Sequence, residues 1–292
     1  MKAFLFPGQG AQFEGMGKDL YENHETARQL FDQANTILGF DITKVMFEGT
    51  AEELRQTKIT QPAIFLHSVI TAMVKMDKEE VPAAVAGHSL GEFSALVVSG
   101  AMTFEDALQL VYKRAMAMQK SCDETEGTMA AIMTPDMALV EAVCNEVEAA
   151  VVPANYNTPS QLVISGSLEG VEQASKLLEE KGARVIPLTV GGAFHSPLMD
   201  SAKQSLQEAI ESTTFSTPSC PIYQNVTAKA TTSVDEIRTN LINQLTGSVR
   251  WSQTIQTMLE DGIEHFVEVG GKGRILLGMV RKINRKAQME ML

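Results

Sequence analysis

The stretch of this chain best equipped for chemistry is Gly87-His88-Ser89-Leu90-Gly91. An apolar run over 81–86 precedes it and a helical pattern over 92–98 follows, so the expected setting is strand, sharp turn, helix. Such a turn strains the serine backbone, and only glycine fits at the flanking positions. The hydroxyl is lifted above the sheet edge while backbone N–H groups converge on the same point. The helix that starts there adds its positive dipole end, which suits a developing oxyanion. Ser89 is therefore the candidate nucleophile. The plain alternative is a tight turn around a buried, hydrogen-bonded serine.

A serine hydroxyl is a poor nucleophile without a base. The chain has five histidines: His24, His67, His88, His195 and His265. His88 adjoins the serine but points the other way on such a turn, where packing is expected of it. His24 and His67 lie in helical patterns, and His265 begins a strand. His195 follows Gly191-Gly192 in a loop between elements, where functional side chains concentrate. Position favours it without deciding the matter.

Composition excludes several classes. Formal net charge is −12, which disfavours a general nucleic-acid surface. The densest cationic group, Arg281, Lys282, Arg285 and Lys286, is read as the last turns of a terminal helix. It either complements the helix dipole or docks an acidic partner. The opening MKAFLFPGQG is too brief for a secretory leader, and no run of eighteen apolar residues follows. Cys122, Cys144 and Cys220 form no CxxC pair, so a cytoplasmic, reducing location is expected and the sequon at Asn225 carries no weight. Gly8-Gln9-Gly10 is followed by Phe13 where a dinucleotide loop needs glycine. Gly17-Lys18 is followed by Asp19, with Gln12 where a phosphate loop needs glycine. No His/Cys/Asp cluster has metal-ligand spacing, and neither metal nor resident cofactor is expected.

These side chains need a scaffold. The 292 residues are enough for one large domain with an insertion. Residues 2–6 read as a buried strand, 19–38 and 61–76 as helices, and Thr103-Phe104-Glu105-Asp106 as the capping pattern of another. From about 125 the register changes. Strands at 128–133, 151–154, 161–165 and 184–190 alternate with helices at 135–148 and 168–181, with a turn at Asn155-Tyr156-Asn157-Thr158-Pro159. That order, βαββαβ, is the ferredoxin-like unit. The domains expected are 1–124 with 191–292 as an α/β catalytic domain with a mostly parallel sheet, and 125–190 as the inserted subdomain.

At this point the chain resembles a known family. Phe6-Pro7-Gly8-Gln9-Gly10-Ala11-Gln12, Gln61-Pro62, the Gly87–Glu92 stretch, Arg114 with Met118-Gln119, Phe194-His195-Ser196 and Val267-Glu268-Val269-Gly270 stand in family order. They are similar to those of the malonyl-CoA:acyl-carrier-protein transacylases and the acyltransferase domains of fatty acid and polyketide synthases, from residue 2 to about 280. The resemblance implies an α/β-hydrolase-like core with a ferredoxin-like insertion. It implies Ser89 as nucleophile, His195 as general base, and the N–H groups of Gln9 and Leu90 as an oxyanion hole. Gln244 would orient His195 through its main-chain carbonyl, in place of a triad acid. Arg114 would grip the free carboxylate of the malonyl group with two parallel bonds, a fork lysine cannot imitate. Phe194 resembles the malonyl-selecting form of its loop. Malonyl-CoA and an acyl carrier protein are the implied partners, with coenzyme A thioester as substrate, not cofactor, and a monomer is expected.

Three positions depart from the family pattern. Phe93 stands where tyrosine is common, Ala115 where glycine often follows the arginine, and Gly271 where proline is frequent. On the residues alone, a serine esterase or thioesterase on the same elbow is the chief rival. An ordinary α/β-hydrolase places several strands before the elbow and an acid between serine and histidine, whereas only about two strand candidates precede Ser89. An inactive binding protein is the other rival, opposed by intact Ser89, His195 and Arg114. Fatty acid and polyketide supply would use the same residues.

Overall fold

The computed structural model describes residues 1–76 and 82–292. The chain runs β1 (Lys2–Phe6), α1 (Lys18–Asn23), α2 (Glu25–Leu38), α3 (Ile42–Glu48), α4 (Ala51–Arg55), α5 (Thr57–Lys75), β2 (Ala84–Gly87), α6 (Gly91–Val98) and α7 (Phe104–Glu124). It continues through β3 (Thr128–Met133), α8 (Met137–Glu146), β4 (Val151–Thr158), β5 (Gln161–Gly166), α9 (Leu168–Glu180) and β6 (Arg184–Pro187). A short 3₁₀ turn at Pro197–Met199 leads to α10 (Asp200–Glu211), β7 (Ile222–Gln224), β8 (Lys229–Thr231) and α11 (Val234–Gln244). The last elements are α12 (Trp251–Glu260), β9 (His265–Glu268), α13 (Ile275–Ile283) and β10 (Gln288–Met291).

The first sheet has the order β10-β9-β1-β2-β7-β8, parallel throughout except for the β7–β8 pair. Strand alternation explains its two cores. Phe4, Phe6 and Val85 face one side and pack with Phe65, Leu66 and Phe93, while Ala3, Leu5, Ala84 and Ala86 face Trp251, Ile255 and Leu276. A sheet covered on both faces reads as a continuous apolar run in sequence, which is why β1 is so plain there.

The second sheet is antiparallel with order β4-β5-β3-β6. Ala130, Ile132, Leu162 and Ile164 point to α8 and α9. The alternate residues Met129, Ala131 and Val163 belong instead to the main core. The insertion is thus welded to the larger sheet's layer. Val249 N–H donates to Ala154 O at 2.8 Å and Tyr156 N–H donates to Val249 O at 2.9 Å, so the segment before α12 acts as an extra edge for β4.

Several expected boundaries shift. The helix expected over 19–38 is broken at His24, an extended residue that ends α1 and begins α2. The 61–76 helix starts earlier, at Thr57, and carries Pro62 inside it. The expected turn at 155–159 is strand up to Thr158, because β4 keeps pairing with β5 through two register shifts, as far as Thr158 with Gln161, and Asn155 also bridges to Val249. The strand expected over 184–190 ends at Pro187. The strand expected over 81–86 begins on Val81, outside the described residues, and its described part runs Ala84–Gly87. The terminal element is not a helix. Arg281 and Lys282 close α13, Arg285 and Lys286 lie in the following loop, and β10 pairs with β9. Among the described residues no helix is long and apolar enough to cross a membrane.

Candidate active site

Steric necessity builds the elbow. A Cβ at Gly87 would sit 1.9 Å from the Gly91 carbonyl carbon, and one at Gly91 would sit 2.0 Å from Phe6 O. β2, the turn and α6 can stack this closely only without those side chains. Between them Ser89 has φ 51°, the left-handed region that a non-glycine residue rarely adopts. Asn225, just after β7, holds that conformation from behind. Its Oδ1 accepts from Ser89 N–H at 2.7 Å, and its Nδ2 donates to Gly87 O at 2.7 Å.

His195 reaches the same point from a loop and also has positive φ, 57°. Its Nε2 is 2.8 Å from Ser89 Oγ. Its Nδ1 faces two carbonyl oxygens, Gln244 O at 2.9 Å and Gly247 O at 3.2 Å. Two acceptors there assign the proton to Nδ1, leaving Nε2 to accept from the serine hydroxyl. The imidazole is buried. Burial first, then the charge of Arg114, lower its pKa to about 3, so it stands neutral and ready to take a proton.

Arg114 projects from α7 and is 1% exposed. Its Nη2 donates to Ser89 Oγ at 3.1 Å and to Gln244 Oε1 at 3.2 Å, and its Nη1 donates to Gln61 Oε1 at 2.7 Å. All these acceptors are neutral, and its Nε is without a hydrogen-bond partner among the described residues. Burial lowers its pKa to about 10, opposed by the carboxyl of Glu92, which leaves it charged at neutral pH. Phe93 lies under it, with the guanidinium carbon 5.6 Å from the ring centroid.

Gln9, Ser89, Leu90, Arg114, Phe194 and His195 line one cavity of about 190 Å³. Gly8 permits the approach of the Gln9 loop, since a Cβ there would lie 2.4 Å from His88 O. Neither Gln9 nor Leu90 N–H bonds another protein group among the described residues. Of the described lining residues, Arg114 is the one with a standing charge. Gln244 lies behind the cavity wall, joined to it through His195 and Arg114. His88 turns away from the serine: its Nε2 is 2.9 Å from Asn157 Oδ1 and its ring packs on Trp251.

Sequence reasoning gave no role to Gln61, Glu92, Asn157 or Asn225, though the first two stand within quoted motifs. Gln61 was detectable as a buried amide in an apolar helix. Asn225 stands out in the sequence only as part of a glycosylation sequon. The departure at Gly271 has a structural reason. Its φ is 71°, and its N–H donates to His67 Nδ1 at 3.0 Å, neither of which proline allows.

The acyl transferase domain family matches residues 3–290. The chain belongs to the acyl transferase family. Its relatives include the malonyl CoA-acyl carrier protein transacylase of Bacillus subtilis, 43% identical over 97% of this chain and 90% of the relative. The Escherichia coli K12 protein of the same name is 40% identical over 96% of this chain and 92% of its own length. The crystal structure of MCAT from Streptococcus pneumoniae superposes with TM-score 0.94 at 40% identity, covering 100% of this chain and 96% of that one. A type II PKS acyl-carrier protein in complex with its malonyl-transacylase, PlMCAT:AntF, gives TM-score 0.93 at 37% identity, over 99% of this chain and 94% of that one.

Proposed function

We propose that this enzyme transfers the malonyl group from malonyl-CoA to the phosphopantetheine thiol of acyl carrier protein, supplying fatty acid synthesis. The observation that carries the reading is the placement of Ser89 Oγ. It lies between a neutral imidazole nitrogen and a buried guanidinium, in a cavity with no other standing charge among its described lining residues. The imidazole supplies a base, and the cation selects an acyl group that ends in a carboxylate. Malonyl transfer is also the activity named for the relatives.

The reaction is read as ping-pong. Ser89 Oγ attacks the thioester carbonyl as its proton passes to His195 Nε2. The oxyanion is held by the N–H groups of Gln9 and Leu90. The C–S bond breaks and coenzyme A leaves with the proton from His195. The carrier thiol then gives its proton to His195 and attacks the malonyl-serine ester, and Ser89 departs reprotonated. The Gln244 carbonyl fixes the tautomer throughout. Being neutral, it stabilises the imidazolium less than a carboxylate would. Arg114 holds the malonyl carboxylate, and Phe194 shapes the wall beside it. No resident cofactor is required, because coenzyme A arrives with the substrate.

The sheet order supports an α/β-hydrolase-like core formed by 1–124 and 191–292, with a ferredoxin-like subdomain at 125–190. The reading places the enzyme in the cytoplasm as a monomer. Intact mass after brief exposure to malonyl-CoA tests it, beside Ser89→Ala and acetyl-CoA controls. A malonyl adduct on the parent only, discharged by added phosphopantetheinylated carrier protein, is expected. Free malonate without an adduct would indicate a hydrolase and overturn the proposal.

A further inference from the structure

One group in the site has no place in the steps above. Glu92, the second residue of α6, is 1% exposed. Its Oε2 accepts from Gln244 Nε2 at 2.6 Å, and its Oε1 accepts from Asn225 N–H. Both partners act directly on the reacting pair. Asn225 clamps the Ser89 turn through its side chain, and Gln244 presents the carbonyl that holds His195 Nδ1–H. The Gln244 amide is itself fully assigned by this arrangement. Its Nε2 serves Glu92 and Ser89 O at 2.9 Å, which leaves Oε1 for Arg114 Nη2.

We propose that Glu92 is the positioning residue of this active site, a buried carboxylate that sets the Gln244 amide and, through it, the His195 imidazole, Ser89 and Arg114. Among the described residues no acid contacts His195, yet an acid lies one residue further back. A carboxylate differs from any neutral side chain of its shape in one respect: both oxygens only accept. Glu92 faces two N–H donors, so it fixes which way round the Gln244 amide stands. The Asn225 loop and the Gln244 helix end are tied to the same two oxygens. Hence the elbow and the carbonyl that orients the base keep a common register.

Burying this group is costly. Desolvation raises its pKa, while the Asn225 N–H, the Gln244 amide and the Arg114 charge lower it. Each of its oxygens accepts from an N–H, and this geometry holds the group as the carboxylate. Arg114, from α7, is the charged group acting on it, while the β7 and α11 sides offer neutral donors. A group retained for stability alone would serve better as an apolar residue or an amide. Glu92→Gln keeps the shape and can still accept from Asn225 N–H. Its new amide would then meet Gln244 Nε2 donor to donor. The Gln244 side chain must turn over, and it loses its bonds to Arg114 and Ser89 O together.

The inference rests on the malonyl-transfer reading for its kinetic readout only. Purified Glu92→Gln and Gln244→Met would be compared with the parent. Expected for Glu92→Gln are an unfolding midpoint no lower than the parent's, KM for malonyl-CoA within about threefold, and kcat reduced by about 100-fold. The downfield proton resonance of His195 Nδ1–H, assigned by its absence in His195→Ala, should move. Gln244→Met keeps the main-chain carbonyl but severs the link, so it should show the same losses. The double variant should be no worse than the poorer single, as for groups acting in series. A folded Glu92→Gln with kcat within about threefold of the parent, or with an unmoved resonance, overturns the proposal. So does parent-like kcat in Gln244→Met, which decides alone if Glu92→Gln fails to fold. A parent that transfers no malonyl would sink the functional reading while the resonance test still judged Glu92.

Discussion

Ser89 and His195 both hold positive φ without being glycine. Strain of this kind persists only where the surroundings over-determine it, and here Asn225 and the two carbonyls on His195 Nδ1 do so. The imidazole pays for its position in basicity, and that sets a pH dependence. A base with its pKa lowered to about 3 stays competent well below the ordinary histidine range. Acylation kcat/KM should therefore stay flat as pH falls through about 6.5, the ordinary value, towards about 5. A limb near the ordinary value in the parent would show that the imidazole is not desolvated as described. Removing the neighbouring cation favours the imidazolium, so in Arg114→Ala the limb should move upward in pH. The same variant should lose malonyl transfer by about 10³-fold or more and lose preference over acetyl, read as competing thioester adducts by mass. Retained malonyl preference would remove Arg114 from substrate selection. Ser89 was legible because a local pentapeptide defines it, whereas His195 stood out only weakly by position. Arg114 and Gln244 were not legible from local chemistry at all. Their meaning depends on elements far apart in sequence, and only the resemblance supplied it.

At the level of elements, the elbow depends on how closely α6 approaches β1. Gly91→Ala would drive a methyl against the Phe6 carbonyl, which is main chain and cannot swing aside. Loss of more than about 3 kcal/mol in urea unfolding is expected. Gly278→Ala makes the same chemical change at an exposed position of α13, where nothing lies within 4 Å of the new methyl. It should raise stability by up to about 1 kcal/mol. Equal effects at the two positions would refute the steric account. β1 and β2 were legible because buried parallel strands read as apolar runs, and α7 because Thr103 shows its cap. Boundaries failed where tertiary partners intervene. Residues Asn155–Thr158 look like a turn by composition, yet pairing with Val163, Leu162 and Gln161 of β5, and of Asn155 with Val249, draws them into β4. The terminal basic stretch looked helical throughout, yet β9 offers an open edge that recruits β10.

At the scale of the molecule, the site belongs to neither sheet alone. Ser89, His195 and Arg114 come from the larger layer, while Met129, Asn155, Asn157 and Val163 on the antiparallel sheet close the same cavity. Geometry within the cavity therefore depends on the seam between the layers. That seam is narrow in main-chain terms. Val249 exchanges hydrogen bonds with Ala154 and Tyr156, Ser248 Oγ donates to Pro153 O at 2.6 Å, and Arg250 N–H donates to Asn225 O at 3.0 Å. The same few residues thus join the antiparallel sheet to the asparagine that clamps Ser89. Val249→Pro removes the donor to Ala154 O and restricts Ser248, while keeping an apolar residue at a position buried in the core of the larger sheet. Its far-ultraviolet circular dichroism should match the parent's. Amide exchange should quicken across β4, and malonyl transfer should fall by about 10-fold to 100-fold through loss of alignment. Fast exchange confined to 248–250 with parent-like transfer would mean that the antiparallel sheet is held by its side-chain packing on the main core, and that the cavity does not need the backbone seam.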